Sequence, residues 1–172
     1  MKLLIVIDMQ EDFVRGSLAN PAAEKIIPNI KRKIYNYLSN DDKVIFTRDT
    51  HDVNYLTSSE GKKLPIKHCI KDTKGWIVVD ELCHPECEHI DKRTFGYMGW
   101  GYENFDQKYD AIELVGTCTS ICVASNALIL KAVYPDIPIT VDASCCACIS
   151  PETHNAALTV MEACQINVTN KE

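Results

Sequence analysis

The sequence contains no long apolar run and no cluster of basic residues. Its first apolar run, residues 3–7, is too short for a membrane span or for the apolar part of a secretion signal, since Asp8 interrupts it. A formal net charge of −6 without a basic cluster argues against nucleic acid or an anionic membrane as the main partner. We therefore expect a cytoplasmic protein that binds neither nucleic acid nor membranes.

Internal repeats, low-complexity segments and linkers are also missing, so the 172 residues predict one domain, residues 1–172. The hydrophobic fraction of 46% and the charged fraction of 24% are typical of a globular protein. Cysteine is the exception, because the chain has nine. Since a reducing cytosol disfavours disulfides, we expect most of these cysteines to be free thiols, either buried or reactive.

Apolar runs and helical spacings alternate along the chain. Strands are predicted at residues 3–8, 43–49, 111–116 and 137–143, with further candidate strands at 76–82, 89–92 and 166–168. Helices are predicted after Asn20 and after Ser150, each an N-cap followed by proline, and at residues 120–134. This order predicts an α/β fold, a three-layer α/β/α sandwich around a mostly parallel central sheet.

Chemically reactive residues fall where these strands end, which is where such sheets bind ligands. Asp8 follows the first strand, where it either caps the next turn or acts as a general base. Cys118 and Cys122 follow a central strand with a C-x3-C spacing, which fits neither the C-x2-C redox motif nor a zinc knuckle. They are either buried thiols or include one thiol activated at a helix start. Lys92, an exposed loop lysine by default, would lower the pKa of a thiol that it approached.

A metal site is the second candidate. Asp49 and His51, two apart on extended backbone, project to the same side and can share one cation. Glu60 and His68 follow within a long loop at residues 50–75, and loops of that length tend to be functional. This mixed oxygen and nitrogen set suits zinc, iron or manganese, although four solvated loop residues remain an alternative. A weaker ligand set, without paired spacing, comprises Cys83, His84, Cys87, His89, Cys145, Cys146 and Cys148.

Five motifs, in chain order, resemble those of the isochorismatase-like cysteine hydrolases, and among these the nicotinamidases. They are DMQEDF (8–13), DTH (49–51), LPIKHCIKDTKGW (64–76), Lys92 and GTCTSICV (116–123). The resemblance spans nearly the whole chain and implies the isochorismatase-like hydrolase fold. It also implies hydrolysis of a small-molecule amide, with a role in NAD salvage. We further expect a homo-oligomer, either a dimer or a tetramer.

The resemblance implies roles for individual residues. Asp8 would be the general acid and base, Lys92 its cationic partner and Cys122 the nucleophile. The Thr117–Cys118 peptide would be cis, and the amides of Cys118 and Cys122 would form an oxyanion hole. One divalent metal, zinc in the first place with iron or manganese as alternatives, would orient the substrate's ring nitrogen or a water. Its ligands would be Asp49, His51, Glu60 and His68.

Nicotinamide is the leading substrate that this resemblance implies. Phe13 matches an aromatic residue that contacts the substrate ring, whereas Leu64 stands where the family usually has a large aromatic residue. The opposite side of the ring would be covered by Phe95, Tyr97 or Trp100. Two alternatives stay open. One is another small amide, such as an N-carbamoyl or ureido compound, and the other is a non-catalytic metal or small-molecule binding module with redox-sensing cysteines.

Overall fold

The described part of the chain, residues 1–171 of a computed structural model, is built around a six-stranded sheet. Its strands are β1 (Lys2–Ile7), β2 (Lys43–Asp49), β3 (Glu88–Lys92), β4 (Ala111–Thr117), β5 (Ile139–Ala147) and β6 (Asn167–Thr169). They lie in the order β3-β2-β1-β4-β5-β6, and every neighbouring pair is parallel. The predicted α/β fold with a parallel central sheet is confirmed.

The helices begin where the sequence predicts caps. They are α1 (Glu11–Val14), α2 (Pro21–Ser39), α3 (Ser59–Lys63), α4 (Ala124–Val133) and α5 (Pro151–Ala163). Asn20 accepts a hydrogen bond from the Ala22 amide before α2, and Ser150 accepts one from the Thr153 amide before α5. Each cap satisfies a backbone donor that the first helical turn leaves free. Within residues 1–171, no helix combines the length and the apolar character that crossing a bilayer requires.

Alternate residues of β1 belong to two separate cores, one on each face of the sheet. Leu3 and Ile5 pack with residues of α4 and α5, whereas Leu4 and Val6 pack with residues of α2. Since successive side chains of a strand point to opposite faces, a strand buried on both faces must be apolar throughout. The predicted three layers, helix, sheet and helix, are therefore confirmed.

The candidate strand at residues 76–82 is wrong. The segment forms two single turns of 3₁₀ helix, Lys74–Trp76 and Asp80–Leu82. Between these turns, Val78 forms an isolated bridge with Gln10. Val78 and Val79 are buried in the α2-side core. Their apolar character therefore reflects packing beneath the helical layer and not pairing in the sheet.

Two boundaries also differ from the prediction. The strand predicted at residues 137–143 continues to Ala147, because buried Cys145 and Cys146 extend it past a register shift opposite Leu114 and Gly116. The helix predicted at residues 120–134 begins with a π-helical turn, Thr119–Val123, and becomes α-helical only at Ala124. The extended strand and the π turn both border the carboxyl edge of the sheet, where the reactive residues gather.

Candidate active site

Three side chains from distant parts of the chain meet at the carboxyl edge of the sheet. Asp8 directly follows β1, Lys92 is the last residue of β3, and Cys122 lies in the π turn after β4. Lys92 Nζ lies 2.6 Å from Asp8 Oδ2 and 3.7 Å from Cys122 Sγ. All three residues are buried. The fold thus places an acid, a cation and a thiol in contact, because their strands are close neighbours in the sheet.

Asp8 has one oxygen in a hydrogen bond and the other in an ion pair. Oδ1 accepts a hydrogen bond from Thr47 Oγ1 at 2.7 Å. Oδ2 contacts Lys92, but within residues 1–171 no donor is aligned to hydrogen-bond it. Burial raises the pKa of Asp8 above its usual range, and the nearby charge of Lys92 offsets this only in part. A buried carboxylate of raised proton affinity is suited to accept a proton.

Lys92 is a cation inside the protein. Its Nζ also donates to the Thr94 carbonyl oxygen at 3.1 Å and lies 3.4 Å from Asp49 Oδ1. Burial opposes the charge of Lys92, but attraction to Asp8, Cys122 and Asp49 outweighs it, so its pKa lies above the usual range. Lys92 therefore remains an ammonium and links the Asp8 carboxylate to the Asp49 carboxylate.

Cys122 is held by the backbone around it. The Cys118 carbonyl accepts hydrogen bonds from the amides of Ile121 and Val123, both at 3.1 Å. Burial raises the pKa of Cys122 above its usual range, and the Asp8 charge adds to this while Lys92 opposes it. Cys122 is therefore a thiol at rest and needs a base to become nucleophilic.

The backbone that leads to Cys122 has two unusual features. The Thr117–Cys118 peptide is cis, as the family resemblance implies. One residue earlier, Gly116 has φ +121°, and a Cβ atom there would lie 2.1 Å from the Ile7 carbonyl oxygen. Only glycine fits this position, because both the positive φ and the close approach of β1 exclude a side chain. Glycine therefore lets β4 approach the end of β1 closely at Ile7, the residue before Asp8.

A cavity of about 500 Å³ opens over these residues. Phe13, Leu64 and Phe95 line it together with Cys118 and Cys122, so three of the five predicted substrate contacts reach this space. An apolar cavity with a few polar groups at one end is the usual form of a small-molecule site.

Tyr97 and Trp100 do not line this cavity, and the prediction for these two is wrong. Trp100 is fully buried in the core beneath α4, where its indole nitrogen donates to Asn126 Oδ1 at 2.8 Å. Tyr97 packs edge-on against Trp100, with ring centroids 4.9 Å apart. The two rings serve as core under the loop that carries Phe95.

The four predicted metal ligands come together beside the triad. Asp49 Oδ2 lies 2.8 Å from His51 Nε2 and 3.6 Å from His68 Nε2. Glu60 Oε1 lies 3.6 Å and 3.7 Å from the same two nitrogens, and the four ligand atoms all lie within 4.8 Å of one another. Two atoms that bind one ion at about 2.1 Å lie at most about 4.2 Å apart. The four contacts of 2.8, 3.6, 3.6 and 3.7 Å fall within this limit, so both acids and both histidines lie close enough to share one cation.

His68 and Asp49 are also held in position to act as ligands. His68 Nδ1 donates to the Ile66 carbonyl oxygen at 2.8 Å, which fixes the ring with Nε2 directed at Asp49, so Nε2 is the atom that would bind an ion. Burial opposes ionisation of Asp49, but hydrogen bonds from His51 and His68 and the charge of Lys92 outweigh it and hold its pKa below the usual range. The residues present therefore fit a divalent metal ion.

Asp72 lies in the loop that follows His68. Its φ is +63°, a left-handed conformation that glycine adopts at no steric cost and that aspartate tolerates. Three residues earlier, the Cys69 amide donates to Asp12 Oδ2 at 2.8 Å. This hydrogen bond fixes the backbone directly after His68.

The sequence did not indicate Gln10 and Asn126. Gln10 binds both backbone groups of Asp49: its Nε2 donates to the Asp49 carbonyl at 2.9 Å, and its Oε1 accepts from the Asp49 amide at 2.7 Å. Asn126 Nδ2 donates to the carbonyls of Cys122 and Phe95 at 2.8 Å and 3.1 Å. Gln10 lies inside the DMQEDF motif, a signal that could have identified it. Nothing local distinguishes Asn126 from an ordinary helical residue.

The weaker cysteine and histidine ligand set does not assemble. Among residues 1–171, the group of side chains with metal-ligand geometry is the one around Asp49. Cys87 and Cys145 lie in the α2-side core, whereas Cys146 lies in the opposite core. All nine cysteines are free thiols.

Comparison with known proteins agrees with this geometry. The nicotinamidase of Saccharomyces cerevisiae is 24% identical over 217 residues, covering 99% of this chain and 100% of the yeast protein. Pyrazinamidase of Pyrococcus horikoshii, solved in complex with zinc, has a TM-score of 0.85 at 24% identity, covering 99% of both chains. Pyrazinamidase/nicotinamidase from Streptococcus mutans has a TM-score of 0.83 at 26% identity, covering 98% of this chain and 99% of that one. The isochorismatase domain matches residues 2–172, so the chain belongs to the isochorismatase family.

Proposed function

We propose that the protein is a metal-dependent amidohydrolase that converts nicotinamide to nicotinate and ammonia through a thioester on Cys122. The observation that carries this proposal is the contact of Lys92 with both Asp8 and Cys122, at 2.6 Å and 3.7 Å. Asp49, Glu60 and His68 line the same cavity as Cys122. Membership of the isochorismatase family and likeness to nicotinamidases support the reaction class.

The first step is proton transfer from Cys122 to Asp8. The raised pKa of Asp8 suits a general base that accepts the thiol proton. Lys92 keeps Asp8 ionised until this transfer and then stabilises the thiolate. Cys122 attacks the amide carbon of the substrate and forms a tetrahedral intermediate.

The backbone amides of Cys118 and Cys122 stabilise the negative oxygen of this intermediate. The Ile121 and Val123 amides already donate to the Cys118 carbonyl within the π turn, so these two amides are not available to bind the oxyanion. Removing one donor from such a site costs about 3 kcal/mol of transition-state stabilisation. Asp8 then returns the proton to the leaving ammonia. Water, activated by Asp8, hydrolyses the thioester and releases the acid.

Asp49, His51, Glu60 and His68 would hold the metal, and zinc suits their two nitrogens and two carboxylate oxygens. When bound, the ion supplies an electron-pair acceptor for the ring nitrogen of the substrate or for a water. Iron or manganese would suit the same donors. Cys122 and Asp8 supply the covalent chemistry, and the four ligands orient the substrate.

A second candidate reaction uses the same triad on another small amide, such as an N-carbamoyl or ureido compound. Leu64 favours this alternative, because an aliphatic side chain lines the cavity where a large aromatic residue would stack on a pyridine ring. Phe13 favours nicotinamide, since its ring lies in the cavity with its centroid 5.6 Å from that of His68. Which amide is hydrolysed fastest decides between the two candidates.

Cys122→Ala is expected to abolish ammonia release from nicotinamide, with a loss of turnover of about 10⁵-fold, because no other group can form the thioester. Turnover of a panel of amides and carbamoyl compounds, with metal content measured on the same samples, tests this. Cys145→Ala is the matched control, since Cys145 is buried in the opposite core, and it is expected to retain turnover. Normal turnover by Cys122→Ala would refute the nucleophile assignment. A wild-type protein inactive on the whole panel would favour a binding module.

Metal removal tests the role of the four ligands. Chelation is expected to raise the substrate dissociation constant at least about tenfold while lowering Tm by only a few degrees, since the ligands are already held by Gln10, Ile66 and Asp12. Isothermal titration calorimetry of nicotinamide binding to Cys122→Ala protein, with and without the ion, measures the change in dissociation constant. Equal losses of binding and stability would indicate a structural metal.

A further inference from the structure

A second pair of cysteines lies behind the substrate cavity. Cys148, directly after β5, has its sulfur 2.8 Å from the sulfur of Cys118, in the turn after β4. Ser120 Oγ lies 3.1 Å and Thr153 Oγ1 lies 3.2 Å from the Cys148 sulfur. These contacts join three elements of the fold, and neither the proposed triad nor the proposed metal site uses Cys148.

This pairing is not the one that the sequence spacing suggests. Cys145 and Cys148 form a C-x2-C motif, but Cys145 is buried in the α2-side core. The adjacent ends of β4 and β5 instead bring together two cysteines that are 30 positions apart in the sequence. The geometry therefore selects Cys118 as the partner of Cys148.

The surroundings of Cys148 favour a thiolate. Burial opposes its ionisation, but hydrogen bonds from Cys118, Ser120 and Thr153 outweigh burial and lower the pKa of Cys148 to about 7. Burial and the neighbouring Cys148 raise the pKa of Cys118. Cys148 is thus the nucleophilic member of the pair, and Cys118 is the thiol that donates to it.

Both sulfurs adjoin open space. Cys118 is half-buried and lines the substrate cavity. Cys148 lines a second cavity of about 390 Å³, next to the first residues of α5. Cys148 itself is buried, so a small oxidant would approach it through this second cavity. The pair therefore forms part of the wall between two cavities.

We propose that Cys118 and Cys148 form a reversible disulfide in response to a hydroperoxide, and that this bond slows turnover by moving the turn that carries Cys122. A covalent S–S bond is about 2.05 Å long, so the two sulfurs must approach by roughly 0.75 Å. Cys118 begins the π turn, and a displacement of about 1 Å at a catalytic group can cost about 10²-fold in rate.

The chemistry is that of a two-cysteine peroxide sensor. The Cys148 thiolate attacks one oxygen of the hydroperoxide, the O–O bond breaks, and the other oxygen leaves as an alcohol or water after taking up a proton. Cys148 is now a sulfenic acid. The Cys118 thiol attacks its sulfur, the S–O bond breaks, and water leaves. The two thiols together lose two electrons and the peroxide gains them, and a dithiol reductant reverses the bond by exchange.

The first experiment detects the bond without any activity assay. Full-length protein with its metal is treated with hydrogen peroxide, free thiols are alkylated, and peptides are mapped by mass spectrometry before and after reduction. A link between the peptides that contain Cys118 and Cys148 is expected in wild type, Cys122→Ser and Cys145→Ser. It is expected to vanish in Cys118→Ser and in Cys148→Ser. Persistence of the link in Cys148→Ser, or its absence in wild type, overturns the proposal.

The second experiment measures the effect on turnover and rests on the proposed function. Oxidised wild type is expected to lose at least about tenfold in kcat and to regain it with dithiothreitol. Cys148→Ser, which keeps a hydrogen-bonding group and a similar volume, is expected to lose less than about twofold under the same treatment. An equal loss in this variant would overturn the link between the disulfide and turnover. Because the peptide map needs no turnover, a failure of the proposed function would be distinguishable from a failure of this inference.

Discussion

Two lysines of this fold each lie between two carboxylates, one at the carboxyl edge of the sheet and one on the face that α2 covers. Lys92 contacts Asp8 and Asp49, whereas Lys33 lies 2.7 Å from both Glu113 and Asp142. Each cluster pairs one lysine with two acids, but the hydrogen bonding of the two clusters differs. This comparison separates what makes a buried ion pair stable from what makes it reactive.

The Lys33 cluster satisfies its oxygens. Tyr37 OH donates to Glu113 Oε2 at 2.6 Å, and Asp142 Oδ1 accepts from Ser144 Oγ at 2.8 Å and from Asn170 Nδ2 at 3.0 Å. Burial opposes the charge of Asp142, but Lys33, Asn170 and Ser144 outweigh it and hold its pKa below the usual range. This cluster links α2 to β4 and β5, and we expect no proton transfer within it.

The Lys92 cluster leaves Asp8 Oδ2 without an aligned donor, as far as residues 1–171 show, and the pKa of Asp8 rises while that of Asp142 falls. Both acids have a lysine nearby, so charge pairing alone does not decide the direction. Complete burial and repulsion by the nearby Asp49 carboxylate raise the pKa of Asp8, whereas hydrogen bonds from Lys33, Asn170 and Ser144 lower that of Asp142. A buried carboxylate of raised pKa beside a thiol is the feature that distinguishes the reactive cluster from the structural one.

Exchanging each lysine for methionine is expected to give the largest contrast. Lys92→Met should lose about 3 kcal/mol of unfolding free energy, because it leaves Asp8 as an uncompensated buried acid, and about 10³-fold in kcat. Lys33→Met should lose about 1 kcal/mol, because its partners are less buried and keep other donors, and should retain kcat within about twofold. Urea unfolding and ammonia release measure the two quantities. Equal behaviour of the variants would show that the clusters do not differ.

Exchanging one acid in each cluster is expected to lower turnover in one variant and stability in the other. Asp8→Asn should lower kcat by about 10³-fold, since an amide cannot take the thiol proton. Asp142→Asn should leave kcat unchanged and lower the unfolding free energy by about 2 kcal/mol, because the charge-assisted bonds to Lys33 are lost. Far-ultraviolet circular dichroism at matched temperature controls for misfolding. A large kcat loss in Asp142→Asn would mean that this cluster also supports the reaction.

The smallest expected effect is that low pH removes the contribution of Asp142 to the free energy of unfolding. Because the folded pKa of Asp142 lies below that of the unfolded chain, its stabilisation is complete above a pH of about 3.9 and is lost as the pH falls through the folded value. The difference in unfolding free energy between wild type and Asp142→Asn should therefore shrink from about 2 kcal/mol at about pH 7 toward zero in stronger acid. A difference that does not change with pH would assign the loss to packing instead of charge.

The local sequence was sufficient to predict much of the fold. Residues 43–49 are a strand in the prediction and in the structure, and the caps at Asn20 and Ser150 begin helices, since apolar runs and capping residues act over a few positions. The four candidate metal ligands were predicted from the family resemblance, and the structure brings all four together. Both successes concern features whose signal lies within one segment.

Features set by distant contacts were missed. Trp100 was assigned to the substrate because aromatic residues suit rings, yet a hydrogen bond to Asn126, 26 residues away, holds it in the core. The extension of β5 through Cys145 depends on its burial against α2, which short-range pattern does not reveal. The 2.8 Å contact of Cys118 with Cys148 likewise depends on how two loops meet. In each case tertiary packing, and not propensity, decides the position.

Asn126 connects the carbonyls of Cys122 and Phe95 and accepts from the Tyr97 amide and the Trp100 indole. One wall of the cavity is thereby built as a single block with the sulfur. Leu64 and Ile149, on the other sides, are exposed and outside this block. Mutations at those two positions can therefore change which amide substrate is bound without disturbing bond cleavage. New substrate specificities should arise there first.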